Sequence, residues 1–367
     1  MPKKAYICNM ANNEQDMETP AGLKGTGDGK SVLIVGAGGF VGGYLACMAL
    51  DCGYDTYVGV RASTSRRYLD DPRLHFVVLD YDDAEAEKRQ LTQAAPSPAG
   101  WDCIVWNLGA TKCADMADFD RINYGYLRRF ADVLQDTGLI PGRFLYMSSL
   151  SVLGLGDEKT FAPFTSQSVP NPNTAYGRSK LKSEVFLEKY SRLPWIIFRP
   201  TGIYGPHEKD YMMMVESIDR HLDVSVGFTE QQLSFLYVAD LVTAVFQALA
   251  APADKVLGHK YILTDGGSWT QKQFRQLTLK YLNKGWALPL RLPMWAVYGV
   301  SVAAEKAAAM RGKASTLNRD KFKIMRQRNW NCDITDARRD FGYTPAWPLP
   351  RGLAATVAAY LAARHAK

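Results

Sequence analysis

Apolar positions along this chain come in short continuous runs, set between longer stretches where they recur every three or four residues. The run SVLIV at 31–35 has the form of a buried strand. After it, GAGGFVGGYLACMALDCG places glycines first and helix-compatible residues second, a strand, turn, helix order. Further strand-like runs are TYVGV at 56–60, LHFVVLD ending at Asp80, DCIVWNLGA ending at Gly109 and Ala110, and RFLYMSSLSVLG. Ahead of the last of these, DFDRINYGYLRRFADVLQDTG has helical periodicity and stops at Gly138. Strands alternating with helices at this rhythm predict an α/β fold with a parallel, doubly wound sheet. Such a sheet takes its ligand at the C-terminal ends of the strands.

The glycines define the first candidate site. Gly36, Gly39 and Gly42 stand three residues apart around Phe40 and Val41. In that spacing the first permits a tight turn, the second lets a pyrophosphate approach the N–H groups at a helix N-terminus, and the third lets helix and strand pack closely. Close packing with no ligand would use the same glycines. The second strand ends at Arg61 with RASTSRR, where a dinucleotide-binding sheet meets the adenosine ribose. An acid there would favour NAD. Arg61, with Arg66 and nearby serines, offers donors to a 2′-phosphate, so NADP(H) is expected and NAD(H) is the alternative; a solvated basic loop would look the same. Asp80 and Tyr81 fall where the adenine amino group would be met. Leu108, Gly109 and Ala110 fall where a nicotinamide-side ribose would pass the backbone.

Composition narrows the class. The chain has 367 residues, 47% hydrophobic and 22% charged, which suits a globular protein with a sizeable core. Its net charge of +7 is spread without a basic and aromatic track, so no nucleic-acid partner is expected. Cys8, Cys47, Cys52, Cys103, Cys113 and Cys332 form no Cys-x-x-Cys pair and do not cluster with His. Neither a disulfide framework nor a metal site is expected, and a cytoplasmic setting fits. Residues 1–29 read as a polar tail without a signal-peptide core. Residues 31–50 carry no charge and would pass a membrane-span test by length, but their glycines argue for the dinucleotide turn.

The heptapeptide TAYGRSK sets Tyr176 and Lys180 one helical turn apart on one face. In a chain with 19 tyrosines, about one Tyr-x-x-x-Lys arises by chance, so spacing alone decides nothing. Its company decides: Ser148 and Ser149 leave the fifth strand at its C-terminal end, where chemistry is done in an open α/β sheet, and both elements follow a dinucleotide fingerprint.

With GAGGFVG, Asp80, NLGA, Asn123 of INYGY, YMSSLSVLG, YGRSK, RPTGIYGP and FLYVADL in order, the chain resembles the extended short-chain dehydrogenase/reductase family over nearly all of 31–362. The resemblance implies a Rossmann domain of 30–200 plus about 233–251. It also implies a smaller, discontinuous C-terminal substrate-binding domain of about 201–232 plus 252–367. It makes Ser149, Tyr176 and Lys180 catalytic: Ser149 hydrogen-bonds the substrate oxygen, Tyr176 exchanges its proton, and Lys180 binds the nicotinamide ribose and lowers the tyrosine pKa. Arg199, Pro200, Gly202 and Ile203 join the cofactor-binding set. Asn123 either braces the sheet or joins the site.

Two positions separate branches of that family. Sugar-nucleotide members usually have Asn where Gly202 stands and Arg where Leu233 stands. Without them a diphosphate is poorly neutralised, and RPTGIYGP looks more like the 3β-hydroxysteroid dehydrogenase and dihydroflavonol-reductase-like branch. The expectation is an NADP(H)-dependent oxidoreductase interconverting a ketone and a secondary alcohol on an apolar small molecule such as 3-ketosphinganine. The alternatives are a sugar-nucleotide epimerase or dehydratase that retains its cofactor, and a non-catalytic dinucleotide sensor. Phe161, Phe164, Tyr211 and Met212 to Met214 are expected to line the substrate pocket or serve as core. The stretch 292–304, with Leu292, Trp295, Ala296, Tyr298 and Val302, would line the pocket, lie peripherally on a membrane, or cover the core. A homodimer is expected through helices near 116–137 and 174–189.

Overall fold

The computed structural model describes residues 19–310, 315 and 318–365. Among the described residues eleven strands are formed: β1 (Ser31–Val35), β2 (Asp55–Val60), β3 (His75–Val78), β4 (Cys103–Trp106), β5 (Arg143–Met147), β6 (Trp195–Pro200), β7 (Gly202–Tyr204), β8 (Leu222–Val226), β9 (Phe235–Tyr237), β10 (Lys260–Leu263) and β11 (Leu288–Leu292). The helices in chain order are α1 (Phe40–Asp51), α2 (Ala84–Ala94), α3 (Ala117–Phe119), α4 (Tyr126–Thr137), α5 (Ala175–Lys189), α6 (Lys209–Asp219), α7 (Val238–Ala250), α8 (Ala253–Val256), α9 (Gln271–Tyr281), α10 (Met294–Ala309), α11 (Arg319–Arg326), α12 (Thr335–Phe341) and α13 (Leu349–His365).

Seven strands form one parallel sheet in the order β10-β6-β5-β4-β1-β2-β3. The order reverses at β1, between β2 and β4, and that crevice is where an open parallel sheet takes a ligand. Every residue of β1 and β4 is buried, as a strand covered on both faces requires. Alternate residues feed two cores. Val32, Ile34, Val105 and Leu145 pack with α1 and α7, while Leu33, Val35, Ile104 and Phe144 pack with α4 and α5. Each fully buried Val, Leu or Ile contributes about 1.5–3 kcal/mol, which holds the strand ends in fixed register beneath the site.

The boundaries expected from sequence shift in two places. β10 is the seventh strand of the main sheet, paired with β6, and α12 packs Ala337 and Phe341 into the same core, so neither belongs to the substrate part. The apolar run YIL at 261–263 is buried against β6, and the crossover through α7 carries it there. In the stretch taken as a tail, residues 1–18 and with them Cys8 lie outside the described residues. Its remainder docks: Leu23 is buried in the sheet core and Thr19 Oγ1 donates to Asp51 Oδ2 at 3.1 Å. The substrate part is built from the small parallel pairs β7–β9 and β8–β11 with α6, α9, α10, α11 and α13. At its α9 end the Thr270 and Gln273 capping box is formed.

Candidate active site

A cavity of about 1170 Å³ runs from the β1–α1 turn across the ends of β4, β5 and β6 into the substrate part. At its dinucleotide end Gly36 has φ +84°, and a β-carbon there would meet the Leu108 backbone at 2.8 Å. Gly42 is likewise closed off by the Gly36 carbonyl, a packing role. Gly39 differs: the nearest atom to a β-carbon is 3.7 Å away and the residue is exposed on the cavity wall, at the N-cap of α1. A glycine that its own protein does not require, at the positive end of a helix, fits a pyrophosphate-binding turn. Phe40, Val41, Arg61, Tyr81, Leu108 and Gly109 line this half of the cavity, together with Gly38 and Thr64. Thr64 shapes the loop by accepting from Arg61 N at 3.1 Å.

Several expected cofactor ligands stand elsewhere. The Arg66 guanidinium lies over the Phe76 ring at 4.2 Å and leaves the cavity wall to Arg61. Asp80 accepts from Asp82 N at 3.1 Å, capping its own turn, and is off the wall. Asn123, fully buried, braces the sheet: its Oδ1 accepts from Ala110 N at 2.7 Å and its Nδ2 donates to Ala110 O and Ser179 Oγ. Ala110 is thereby held to Asn123 and does not line the cavity. Arg199 is buried behind the site in a bidentate pair with Glu184, at 3.1 and 2.6 Å. Ser148 Oγ also donates to Glu184. Pro200, Gly202 and Ile203 do line the cavity.

Ser149, Tyr176 and Lys180 come together on one wall. Thr174 caps α5 by accepting from Gly177 N at 3.0 Å, and Asp320 of α11 accepts from Ala175 N. A β-carbon on Gly177 would lie 2.5 Å from Ser151 O, so the glycine lets α5 approach the Ser149 turn. Ser149 Oγ accepts from Ser151 N at 3.2 Å and from Ser151 Oγ at 3.0 Å. Burial pushes the Tyr176 hydroxyl up to about 12, with the Ser149 hydrogen bond acting against that rise. Lys180 is buried, donates to Met147 O at 2.8 Å, and is pulled down from 10.5 to about 7 by desolvation, which Glu184 partly opposes. Glu184 escaped the sequence reading, although it stands one turn beyond Lys180 on the face that carries the Tyr/Lys pair.

On the substrate side Tyr211, Met213 and Met214 line the cavity, while Met212, Phe161, Phe164, Leu292, Trp295, Ala296, Tyr298 and Val302 do not. Arg328 lies over the Phe161 ring and Phe164 packs beneath the Ser149 turn. A β-carbon on Gly202 would meet the Tyr211 hydroxyl at 2.0 Å, so Tyr211 fills the room a longer residue would need. Leu233 exchanges backbone hydrogen bonds with Trp269 at 2.6 and 2.8 Å. Lys112 and Lys321 both pair with Asp210, at 2.7 and 3.0 Å. These partners are 98 and 111 residues apart, and no local pattern announces them.

A parallel sheet of this order, a glycine turn at its switch point and a Ser, Tyr, Lys wall define a dinucleotide-dependent enzyme of the extended short-chain dehydrogenase/reductase type. The model of the NAD dependent epimerase/dehydratase family matches residues 32–263, and the chain belongs to that family. It is 24% identical over 346 residues to the UDP-glucose 4-epimerase of Vibrio cholerae, covering 92% of this chain and 97% of that one. It is 26% identical over 235 residues to the 3beta-hydroxysteroid-dehydrogenase/decarboxylase isoform 1 of Arabidopsis thaliana, 59% of this chain and 52% of that one. The solved UDP-glucuronic acid 4-epimerase of Bacillus cereus in complex with NAD shares the fold with a TM-score of 0.71 and 16% identity, covering 91% of this chain and 99% of that one.

Proposed function

We propose that the protein is an NADP(H)-preferring oxidoreductase that interconverts a ketone and a secondary alcohol on an apolar, lipid-like or steroid-like substrate, for example 3-ketosphinganine. One observation carries the reading: the substrate wall offers Gly202 closed by Tyr211, Leu233 and the thioethers of Met213 and Met214, while Lys112 and Lys321 are paired to Asp210. A sugar-nucleotide diphosphate calls for charge-assisted donors, and a flexible apolar chain for soft adaptable walls. The likeness to a plant steroid dehydrogenase/decarboxylase supports the same direction.

The bound nicotinamide would supply or accept the hydride. Ser149 Oγ accepts two hydrogen bonds from Ser151, and its own proton, directed at Tyr176 here, would turn to hydrogen-bond the substrate oxygen. Tyr176, protonated at neutral pH, gives that oxygen its proton in the reducing direction and takes it back in the oxidising one. Lys180 would hold the nicotinamide ribose, and its charged form lowers the barrier to tyrosinate. Arg61, Ser63 and Ser65 line the adenosine end and support the 2′-phosphate reading.

A second reading is favoured by the similarity to UDP-glucose 4-epimerase over 92% of this chain: an epimerase or dehydratase that keeps its dinucleotide bound. NADPH oxidation followed at 340 nm against lipid ketones, a steroid ketone and UDP-sugars separates the two. Turnover with a lipid or steroid ketone supports the reductase. Conversion of UDP-sugars alone, with no net NADPH consumption, would sink it in favour of the epimerase.

A further inference from the structure

The substrate part carries an apolar surface that the described residues leave uncovered. β8 and β11 pair in parallel, with Leu288 opposite Leu222, Leu290 opposite Val224 and Leu292 opposite Val226. Residues two apart share one face of a strand, so these six form a cross-strand ladder. Val297, Phe322 and Met325 cover its Val226 and Leu292 end. The other end is open, with Leu222, Val224, Leu288 and Leu290 between 42% and 54% exposed. Trp286 beside it stacks on His221 at 4.4 Å and is 61% exposed. β11 then leads into α10, where Trp295 is 78% exposed. Uncovered large apolar side chains gathered in this way mark an interaction surface.

Charge and continuity select the partner. Lys284, paired with Asp219 at 2.8 Å, Arg291 and Lys306 lie in the described stretch 284–310 against a single acid, Glu305. That acid is paired with Arg319 at 2.8 Å. Indole rings interleaved with cations suit the headgroup layer of a bilayer, where amphipathic rings lodge and basic residues meet anionic lipid. A second copy of the chain would instead set this positive stretch against itself across a two-fold axis. Leu222, Val224 and Val226 also line the cavity, so the ladder continues the substrate wall to the exterior.

We propose that the β8–β11 ladder and α10 dock the protein on an anionic lipid bilayer, with the cavity's apolar wall opening at that contact. Docking stands on the exposed side chains alone; the corollary that an apolar substrate enters there rests on the proposed activity. The test is co-sedimentation of the full-length protein with phosphatidylcholine vesicles, with and without phosphatidylglycerol. Salt-sensitive binding to the anionic vesicles is expected, with a blue shift of tryptophan emission. Trp295→Asp and Arg291→Glu should each weaken it about tenfold while leaving NADPH binding unchanged. No vesicle binding, or variants that bind like the wild type, would overturn the proposal, and equal binding to both vesicle types would overturn its anionic choice. A dimer in light scattering that Trp295→Asp dissociates would assign the face to a second copy. Binding is read without turnover, so a wrong substrate class would leave this result standing.

Discussion

A β-carbon on Gly202 would lie 2.0 Å from the Tyr211 hydroxyl, so these two residues share one space on the substrate side of the cavity. Any side chain at 202 must move a partly buried ring. Gly202→Ala is therefore expected to cost about 1–3 kcal/mol of stability by overpacking. Tyr211→Phe removes the clashing oxygen and should recover much of that loss. Urea denaturation of the two single variants and the double variant gives the coupling; strictly additive effects would show that the space is not shared.

Tyr176→Phe keeps the ring that faces Phe119 at 6.0 Å and deletes only the hydroxyl. Turnover should fall by about 10²–10⁴, the range for losing a positioned general acid, while NADPH affinity stays near wild type. Equilibrium titration and steady-state assay measure the two separately. A variant with wild-type turnover would remove Tyr176 from the mechanism.

The local part of this site was legible in the sequence because its signals are local. Gly36, Gly39 and Gly42 belong to one turn and the helix start that follows it, Tyr176 and Lys180 to one helical turn, and Ser149 to the end of a continuous apolar run. What escaped depends on distant partners. Arg199 sits at the end of β6 as a cofactor ligand would, yet its guanidinium meets Glu184 behind the sheet. Asp320 caps α5 from 145 residues away, and Asp210 gathers Lys112 and Lys321 from 98 residues before it and 111 after it. Side-chain direction misled at Arg66, where the Phe76 ring on the neighbouring strand offers a better place than the cavity. The short run of β10 gave no sign of which strand it would join.

That difference between the two arginines is testable at the cofactor's adenosine end. Arg61→Asp should shift preference from NADP towards NAD, by repelling a 2′-phosphate and accepting from a ribose hydroxyl. Arg66→Ala should leave the ratio of the two kcat/KM values nearly unchanged. A large effect at Arg66 with none at Arg61 would reverse the assignment.

Arg199→Met strands the Glu184 carboxylate in a fully buried position. Removing one partner of a buried ion pair typically costs about 3–5 kcal/mol, so the variant should unfold at much lower denaturant. Cofactor affinity of the folded fraction should change little. A variant as stable as wild type but unable to bind NADPH would restore Arg199 as a cofactor ligand.

Lys180 ties the site to pH. Its folded pKa of about 7 lies below the 10.5 of an unburied lysine, because burial disfavours the ammonium. Between those values the unfolded chain binds the extra proton, so this residue makes stability rise as pH rises through that window. Below pH 7 the charged group is buried at a cost on the order of 2–5 kcal/mol, relieved in part by Glu184. Lys180→Met removes that cost together with the hydrogen bond to Met147 O, worth about 1 kcal/mol at every pH. The cofactor-free variant should therefore melt above wild type at pH 6, with the gap closing or reversing near pH 10. Paired thermal melts across that range cancel every other titrating group. A gap that stays constant with pH would mean that Lys180 remains fully charged in the fold, with the carboxylate of Glu184 and not burial governing its protonation.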